Sequence, residues 1–350
     1  MSQIVDCRSA TIRIRYTSLS FVKYRSLFVR VNFNKGGERT MVKKIIILIV
    51  VVVIVIAAIL VGLKHVKTLP KETQAKTGSF YIQNIGLLTP ETVLYDPEND
   101  VYLVSNINGG PFIEDDNGFI SRIDPDGKVI ELAWINGADG AIILNAPKGM
   151  TFSENRLYVC DIDAVRLFDR ESGEHLVDIR IPEVTFVNGA TTGPDGRVYI
   201  TDSGFSKGDN GAQPTGRDAV YVIDQENRVQ TLCMNSDLNR PNGIVYTKTG
   251  NLYVVPFGGN ELFQVHGDGT YEVAKILPSG SLDGLVELND NRLAVSSWKS
   301  MTIYLVDVAG NTTVLVKGVR SPAGIGYDSK RDRVLIPLFR DNKILVQDVK

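Results

Sequence analysis

The sequence predicts an all-β fold: a six-bladed β-propeller of four-stranded blades, preceded by one N-terminal transmembrane helix. Two observations predict the propeller. A strand–turn–strand pattern recurs six times from Pro90 onward, and further alternating segments follow each copy. A third observation, a single long uncharged run near the N-terminus, predicts the helix.

The first segment, residues 1–40, contains eight Lys or Arg residues and no helical period. Residues 35–38 (KGGE) could be encoded by a purine-rich stretch that resembles a bacterial ribosome-binding site, just ahead of Met41. We therefore expect translation to start at Met41. On this interpretation residues 1–40 are either mis-annotated or a disordered extension.

The uncharged run spans Ile45 to Leu63, 19 residues, about the length that a helix needs to cross the hydrocarbon core. A cleaved signal peptide is the alternative, but the residues after Ala57 and Ala58 fit a small-x-small cleavage site poorly. We expect residues 41–65 to form an uncleaved signal anchor and residues 66–77 a linker. The propeller at 78–350 then lies on the extracytoplasmic side of a bacterial cell membrane, on a single-pass protein.

The six copies share a turn between two apolar runs, which is the pattern of a β-hairpin. They read PETVLYDPENDVYLVSN from Pro90, PKGMTFSENRLYVCD from Pro147, VNGATTGPDGRVYITD from Val187, PNGIVYTKTGNLYVVP from Pro241, LDGLVELNDNRLAVSS from Leu282 and PAGIGYDSKRDRVLIP from Pro322. Four strands in such a length are typical of a propeller blade. The last copy supplies three strands, so the alternating segment Ser79 to Ile85 is predicted to complete its blade and close the ring.

The first strand of each propeller blade lies nearest the axis, so equivalent residues at its start converge on one channel. The second residues of the six copies are Glu91, Lys148, Asn188, Asn242, Asp283 and Ala323. Carboxylate and amide oxygens are the ligands that calcium prefers, whereas zinc and copper sites use thiolates or imidazoles. We predict one divalent cation, Ca²⁺, bound by Glu91, Asn188, Asn242 and Asp283.

Two further side chains are candidates for the substrate or channel lining. Lys148 occupies the same ring and could instead neutralise Glu91 and Asp283 in a salt-bridged channel without a metal. Trp298 follows the second strand of blade five and could line the mouth or pack between blades.

Blades one and three contain Gly- and Asp-rich insertions between their second and third strands, at 106–118 and 203–217. Because the strands alternate in direction, both insertions should overhang the ring. They are lids or ligand-binding loops, or else decoration that shields sheet edges.

Composition excludes several classes of protein. The net charge of −2 argues against a nucleic-acid partner, and three cysteines are too few for a disulfide framework. The sequence contains no GxSxG motif, which argues against a serine hydrolase of the α/β type. We expect a monomer.

Residues 78–350 resemble the senescence marker protein/gluconolactonase/luciferin-regenerating enzyme-like (strictosidine synthase-related) six-bladed propellers. The resemblance rests on Glu91 at the opening of blade one, Asn188 before GPDGRVYITD, Asn242 in RPNGIVY and Asp283 in LDGLVELNDNRLAVSSW. It implies that these four residues hold a divalent cation, usually calcium or zinc, and that a lactone ester is hydrolysed above it. By that analogy Asp283 is the base.

The chain departs from the family pattern at two places. Many lactonases of this type carry Asp where this chain has Gly189, and Pro90-Glu91-Thr92-Val93 replaces the usual Gly-Glu-Gly-Pro opening. Two functional hypotheses follow. One is a membrane-anchored, calcium-dependent hydrolase of a small lactone, ester or sugar-like molecule. The other is a non-enzymatic ligand- or protein-binding propeller with a structural ion or a salt-bridged channel.

Overall fold

The central strands of the repeats are buried along nearly their whole length because both of their faces are covered. The computed structural model describes residues 2–7, 10–17, 26–33, 78–208 and 211–349, the first three ranges by their backbone alone. Strands such as Val101–Asn106 and Ala219–Ile223 are buried at every position, since they lie in sheets packed between other sheets. Strands at the outer edge, such as Val129–Asn136, are largely exposed and carry polar residues.

Antiparallel four-stranded sheets form the blades, each with its first strand innermost. Blade 1 comprises β5 (Pro90–Asp96), β6 (Val101–Asn106), β7 (Phe119–Ile123) and β8 (Val129–Asn136). Blade 2 comprises β9 (Met150–Ser153), β10 (Arg156–Asp161), β11 (Ala164–Asp169) and β12 (His175–Arg180). Blade 3 comprises β13 (Val187–Thr192), β14 (Val198–Asp202), β17 (Ala219–Ile223) and β18 (Val229–Met234), with the hairpin β15 (Phe205–Gly208) and β16 (Gly211–Pro214) inserted after β14.

The second half of the ring repeats this plan. Blade 4 comprises β19 (Pro241–Tyr246), β20 (Leu252–Pro256), β21 (Glu261–Val265) and β22 (Tyr271–Ile276). Blade 5 comprises β23 (Leu282–Glu287), β24 (Leu293–Ser297), β25 (Thr302–Val306) and β26 (Thr312–Lys317). Blade 6 comprises β27 (Gly326–Asp328), β28 (Arg333–Leu338), β29 (Lys343–Asp348) and β4 (Phe80–Ile82). Two short 3₁₀ helices, Gly137–Asp139 and Ser236–Leu238, lie between blades 1 and 2 and between blades 3 and 4.

The ring closes through the strand from the beginning of the propeller. β4 pairs antiparallel with β29, so that Phe80 lies opposite Val346 and Ile82 opposite Ile344. The innermost strands β5, β9, β13, β19, β23 and β27 contact one another in a closed cycle. The predicted six-bladed propeller of four-stranded blades, closed by the leftover N-terminal segment, is therefore confirmed.

A separate hydrophobic core fills each interface between adjacent blades within the described propeller. Leu167 of blade 2 and Ile200 of blade 3 belong to one such core, and Ile82 of blade 6 and Val104 of blade 1 belong to another. Each fully buried aliphatic side chain of this size stabilises the fold by about 1.5–3 kcal/mol relative to an exposed one. The blades are therefore held by side-chain packing, because their sheets share few hydrogen bonds.

The inner strands approach one another very closely at their first residues. The second residue of each copy of the repeat is called the ring position. In blades 2 to 6 this residue is directly followed by glycine. A Cβ atom placed on Gly189 would lie 2.2 Å from the carbonyl oxygen of Asn242, and one on Gly243 would lie 2.3 Å from that of Asp283. Real Cβ atoms essentially never come so near another atom, so these positions require glycine.

The N-terminal part of the chain forms a unit of its own, described here by its backbone. β1 (Ser2–Cys7), β2 (Ala10–Thr17) and β3 (Ser26–Phe33) form a three-stranded antiparallel sheet. This sheet does not test where translation starts, and a start at Met41 stays a prediction. The predicted transmembrane helix (41–65) and linker (66–77) lie outside the described residues. Within the described ranges, no helix is both long and apolar enough to cross a membrane.

Replacing Gly189 with alanine tests the close approach of the inner strands. We expect Gly189→Ala to lower the free energy of unfolding by about 1–3 kcal/mol, the usual cost of overpacking, because the new Cβ displaces the Asn242 carbonyl. Gly267→Ala is the matched control, since no atom lies within 4 Å of its added Cβ. Urea unfolding of both variants measures the difference, and equal stabilities would contradict the steric argument.

Candidate active site

Four inner strands contain a β-bulge at their beginning. The register of each inner strand against its neighbour shifts between Pro90 and Val93 in β5, Val187 and Ala190 in β13, Pro241 and Ile244 in β19, and Leu282 and Leu285 in β23. A bulge re-aims a side chain that a regular strand would point elsewhere. The residues inside these bulges are Glu91, Asn188, Asn242 and Asp283, the four predicted ligands, and all four are buried.

Hydroxyl groups on the second strands hold the bulges in place. Thr201 Oγ1 accepts a hydrogen bond from the Gly189 N–H at 2.8 Å and donates one to the Asn242 carbonyl of the next blade at 2.7 Å. Ser296 makes the equivalent two bonds at the interface between blades 5 and 6, accepting from the Gly284 N–H and donating to the Ala323 carbonyl. Backbone groups that these two bulges free are thus satisfied, and adjacent blades are tied together at the level of the ring.

Neither of the two ring carboxylates forms an ion pair with a described residue. Glu91 Oε2 accepts a hydrogen bond from Thr92 Oγ1 at 2.6 Å. Burial raises the pKa of Glu91 to about 7, against the opposing effects of this hydrogen bond and of Lys148. Burial also raises the pKa of Asp283 well above its usual value, and the negative charge of Glu91 raises it further.

Several polar atoms of the ring have no partner in the described protein. Asp283 Oδ1 and Trp298 Nε1 are both buried without a hydrogen bond; the Trp298 N–H lowers the pKa of Asp283 without meeting full hydrogen-bond geometry. Asn188 Nδ2 donates to Ser203 Oγ at 3.1 Å, which fixes the amide while its oxygen accepts nothing from the described residues. These atoms leave capacity for a ligand.

This donor set fits a hard divalent cation. Two carboxylates and two amide oxygens are the ligand types of calcium sites, and a bound cation would offset the repulsion between the carboxylates. In the described part of the chain, no group of three or more His, Cys, Asp or Glu side chains is placed to hold a metal. A cation site at this ring therefore depends on the amides of Asn188 and Asn242 as well as on the two acids.

The Lys148 ammonium contacts Ala146 and Phe186 and forms no ion pair with the two acids. It donates to the Ala146 carbonyl at 2.9 Å and lies 4.4 Å from the centroid of the Phe186 ring. Burial lowers the pKa of Lys148, and Asp161 followed by Glu91 opposes that effect. Among the ion pairs of the described residues, none joins Lys148 to Glu91 or Asp283. The salt-bridged channel considered from the sequence is therefore not formed by these side chains.

The ring lies between two cavities and contributes all four predicted ligands to both. The lower channel has a volume of about 410 Å³ and is lined by the inner strands, with polar groups such as Thr191, Lys248 and Glu287. The upper cavity, here called the cup, has a volume of about 190 Å³. Lys148 and Trp298, the two predicted substrate or channel residues, line the cup as well.

The cup has an aromatic wall, of which only Trp298 was predicted from the sequence. Its members are Phe112, Phe186, Phe205, Phe257, Trp298 and Phe339. A positional signal was present, because Phe257, Trp298 and Phe339 each directly follow the second strand of their blade. That strand ends on the face where the first strand begins, so the next residue must lie at the mouth. The two insertions supply Phe112 and Phe205, as expected for segments that overhang the ring.

Comparisons with known proteins agree with this architecture. Residues 90–316 match the model of a family described as SMP-30/Gluconolactonase/LRE-like region. A gluconolactonase from Xanthomonas campestris is 17% identical, with a TM-score of 0.59 over 74% of this chain and 86% of that one. The calcium-binding protein regucalcin from Agrobacterium tumefaciens is 16% identical, with a TM-score of 0.55 over 78% and 93% of the two chains.

A structure with a different chemistry is equally similar. Virginiamycin B lyase from Staphylococcus aureus is 15% identical, with a TM-score of 0.57 over 78% of this chain and 99% of that one. At such identities the likeness concerns the fold alone. A comparison with curated protein sequences finds no significant match.

The raised pKa of Glu91 predicts how stability changes with pH when no cation is bound. Folding raises this pKa from 4.5 to about 7, so between these values the folded state binds more protons than the unfolded state. The contribution of Glu91 to stability is therefore fully present below the lower value and is lost as pH rises through the upper one. We expect EDTA-treated protein to lose more stability than Glu91→Gln between about pH 4.5 and pH 7.

Urea unfolding of the two proteins across this pH range measures the difference. Calcium should reverse the trend for the unsubstituted protein, because a bound cation favours ionised carboxylates. Equal losses of stability in the two proteins would show that the Glu91 pKa is not raised by folding.

Proposed function

The chain belongs to the SMP-30/Gluconolactonase/LRE-like family, and we propose that it is a calcium-dependent hydrolase of lactones or related esters. The observation that carries the proposal is the ring of Glu91, Asn188, Asn242 and Asp283, which is buried, has unsatisfied oxygen atoms and opens on the cup. These four residues would hold the cation. When bound there, it would supply positive charge that polarises the substrate carbonyl.

Asp283 is the side chain that we assign as general base. A general base works best when its pKa is near the working pH, and burial moves the pKa of Asp283 in that direction. Water adds to the lactone carbonyl and gives its proton to Asp283. The ring C–O bond then breaks, and the proton passes to the departing oxygen, so that a hydroxy acid is formed.

Glu91 differs from Asp283 in its surroundings and is assigned a binding role. Its Oε2 is held by the Thr92 hydroxyl, whereas Asp283 Oδ1 has no hydrogen-bond partner in the described protein. A carboxylate that is held by a hydrogen bond is suited to bind and orient. One that is free of such a bond is better placed to take and return a proton.

A non-catalytic binding propeller is the second candidate, and Gly189 is the observation that favours it. Many lactonases that the sequence resembles carry Asp at this position, and the close approach of Asn242 leaves no room for any side chain here. In this alternative the cation stabilises the ring and the cup binds a ligand without turnover.

Calcium titration followed by a lactone and ester panel tests the proposal. We expect tight calcium binding by calorimetry, lost in the Glu91→Gln/Asp283→Asn double variant. We expect Asp283→Asn to reduce kcat by about 10²–10⁴-fold, the usual contribution of a general base, with folding unchanged. Asp290→Asn, an exposed residue of the same blade, is the matched control. A calcium-loaded protein that hydrolyses no member of the panel would favour the second candidate.

We further propose that residues 41–65 anchor the protein in a bacterial cell membrane with the propeller on the extracytoplasmic side. The support is the uncharged 19-residue run Ile45 to Leu63. Deleting this run should move the protein from the membrane fraction to the soluble fraction, as measured by immunoblotting after fractionation. A matched deletion of residues 1–40 should leave it in the membrane fraction, and release by both deletions would contradict the assignment.

A further inference from the structure

We propose that the substrate of this site is an apolar lactone, one that carries an aromatic ring or a short hydrocarbon group, and not a sugar lactone. The inference rests on the proposed hydrolase function and names the class of substrate that the same site takes. It is carried by the walls of the cup, which the proposed function does not use.

The cup has apolar walls and a polar floor. Within the described residues that line it, polar side chains are confined to the four ring residues and Lys148, apart from the indole N–H of Trp298. The Lys148 ammonium is already engaged by the Ala146 carbonyl and the face of Phe186. All polar recognition is therefore concentrated at the ring, where the reacting carbonyl must lie.

Two groups of aromatic rings form opposite parts of the wall. Phe112, Phe186 and Phe205 pack on one another, with ring centroids 4.6 Å apart for the first two and 5.9 Å for the last two. Trp298 lies between Phe257 and Phe339, at 5.6 Å and 5.4 Å between centroids. Such packed rings are pre-ordered, so they offer an apolar surface that loses little side-chain freedom when a ligand enters.

A sugar lactone suits this wall poorly. Its hydroxyl groups would leave water and meet aromatic carbon on the sides of the cup, where the described lining residues offer no acceptor, and no donor but the indole N–H of Trp298, to replace the lost hydrogen bonds. A fused aromatic or alkyl lactone of similar size loses no such bonds. The cup volume of about 190 Å³ limits the ligand to a small molecule of one or two rings.

Trp298 gives a direct signal for occupation of the cup. The chain has two tryptophans, and the other, Trp134, lies on the outermost strand of blade 1 against Arg122. In a Trp134→Phe background the fluorescence therefore reports Trp298 alone. The binding probe is 2-tetralone, the ketone isostere of the aromatic lactone dihydrocoumarin. Because 2-tetralone is a ketone and has no ester bond, it cannot be hydrolysed. Glucose is the polar counterpart.

We expect 2-tetralone to change the Trp298 emission of the calcium-loaded full chain and to bind at least tenfold more tightly than glucose. Phe112→Ser should weaken 2-tetralone binding by about tenfold, because it removes one aromatic ring from the wall of the cup. Phe112→Leu should restore most of the affinity. Both variants should keep the calcium affinity of the parent, since the Phe112 side chain has no atom that could bind the cation. Tighter binding of glucose, or 2-tetralone binding that Phe112→Ser does not change, would overturn the proposal.

Turnover separates this inference from the proposed function. Preference for dihydrocoumarin over glucono-δ-lactone in kcat/KM supports both. Preference for glucono-δ-lactone keeps the hydrolase and overturns the apolar substrate class. If neither is hydrolysed but 2-tetralone binds and depends on Phe112, the hydrolase proposal fails while the apolar ligand class stands.

Discussion

The close approach of consecutive inner strands is the constraint on which the rest of the molecule depends. The Gly149 N–H donates to the Asn188 carbonyl at 2.9 Å, and the Gly324 N–H donates to the Glu91 carbonyl at 2.8 Å. Such contacts are possible only because these positions lack a side chain, and they draw six strands tightly around one axis. The ring residues that precede the glycines are thereby brought to one level, and Asn188, Asn242 and Asp283 line the channel there. The geometry of the site is thus set by the backbone.

Holding two carboxylates at this level has an energetic cost that the blades must offset. Burial makes ionisation of Glu91 and Asp283 unfavourable, and an unbalanced buried charge opposes folding. The propeller provides a separate hydrophobic core at each interface between blades. Stability is therefore supplied by the sides of the blades, and the axis is free to keep polar groups that would destabilise a smaller domain. A cation bound to the acids would remove much of the cost.

The blades and the ring could be predicted from the sequence, whereas Lys148 and Trp298 were the only wall residues of the cup that were predicted, because the repeats record the strands and not the loops. The ring position precedes a recognisable strand in all six copies, so alignment of the repeats is enough to find Asp283 or Asn242. The cup residues come from different loops. Phe112 and Phe205 lie in insertions that have no counterpart in the other copies, and their packing depends on how those segments fold back. Lys148 shows a second limit: its place in the ring is readable from the repeat, but its turn towards Ala146 depends on local rotamers.

The similarity of this fold to both hydrolases and a lyase means that chemistry must be argued from the ring and not from the blades. The resemblance leads us to expect an acid at position 189, whereas the chain has Gly189, where a side chain would meet the Asn242 carbonyl. Any proton transfer in the ring then falls to Glu91 and Asp283. They are not equivalent: the first is held by Thr92 and the second has a free oxygen. A ring with one acid fixed and one free needs no third carboxylate to bind a cation and move a proton, so the loss at Gly189 is compatible with catalysis.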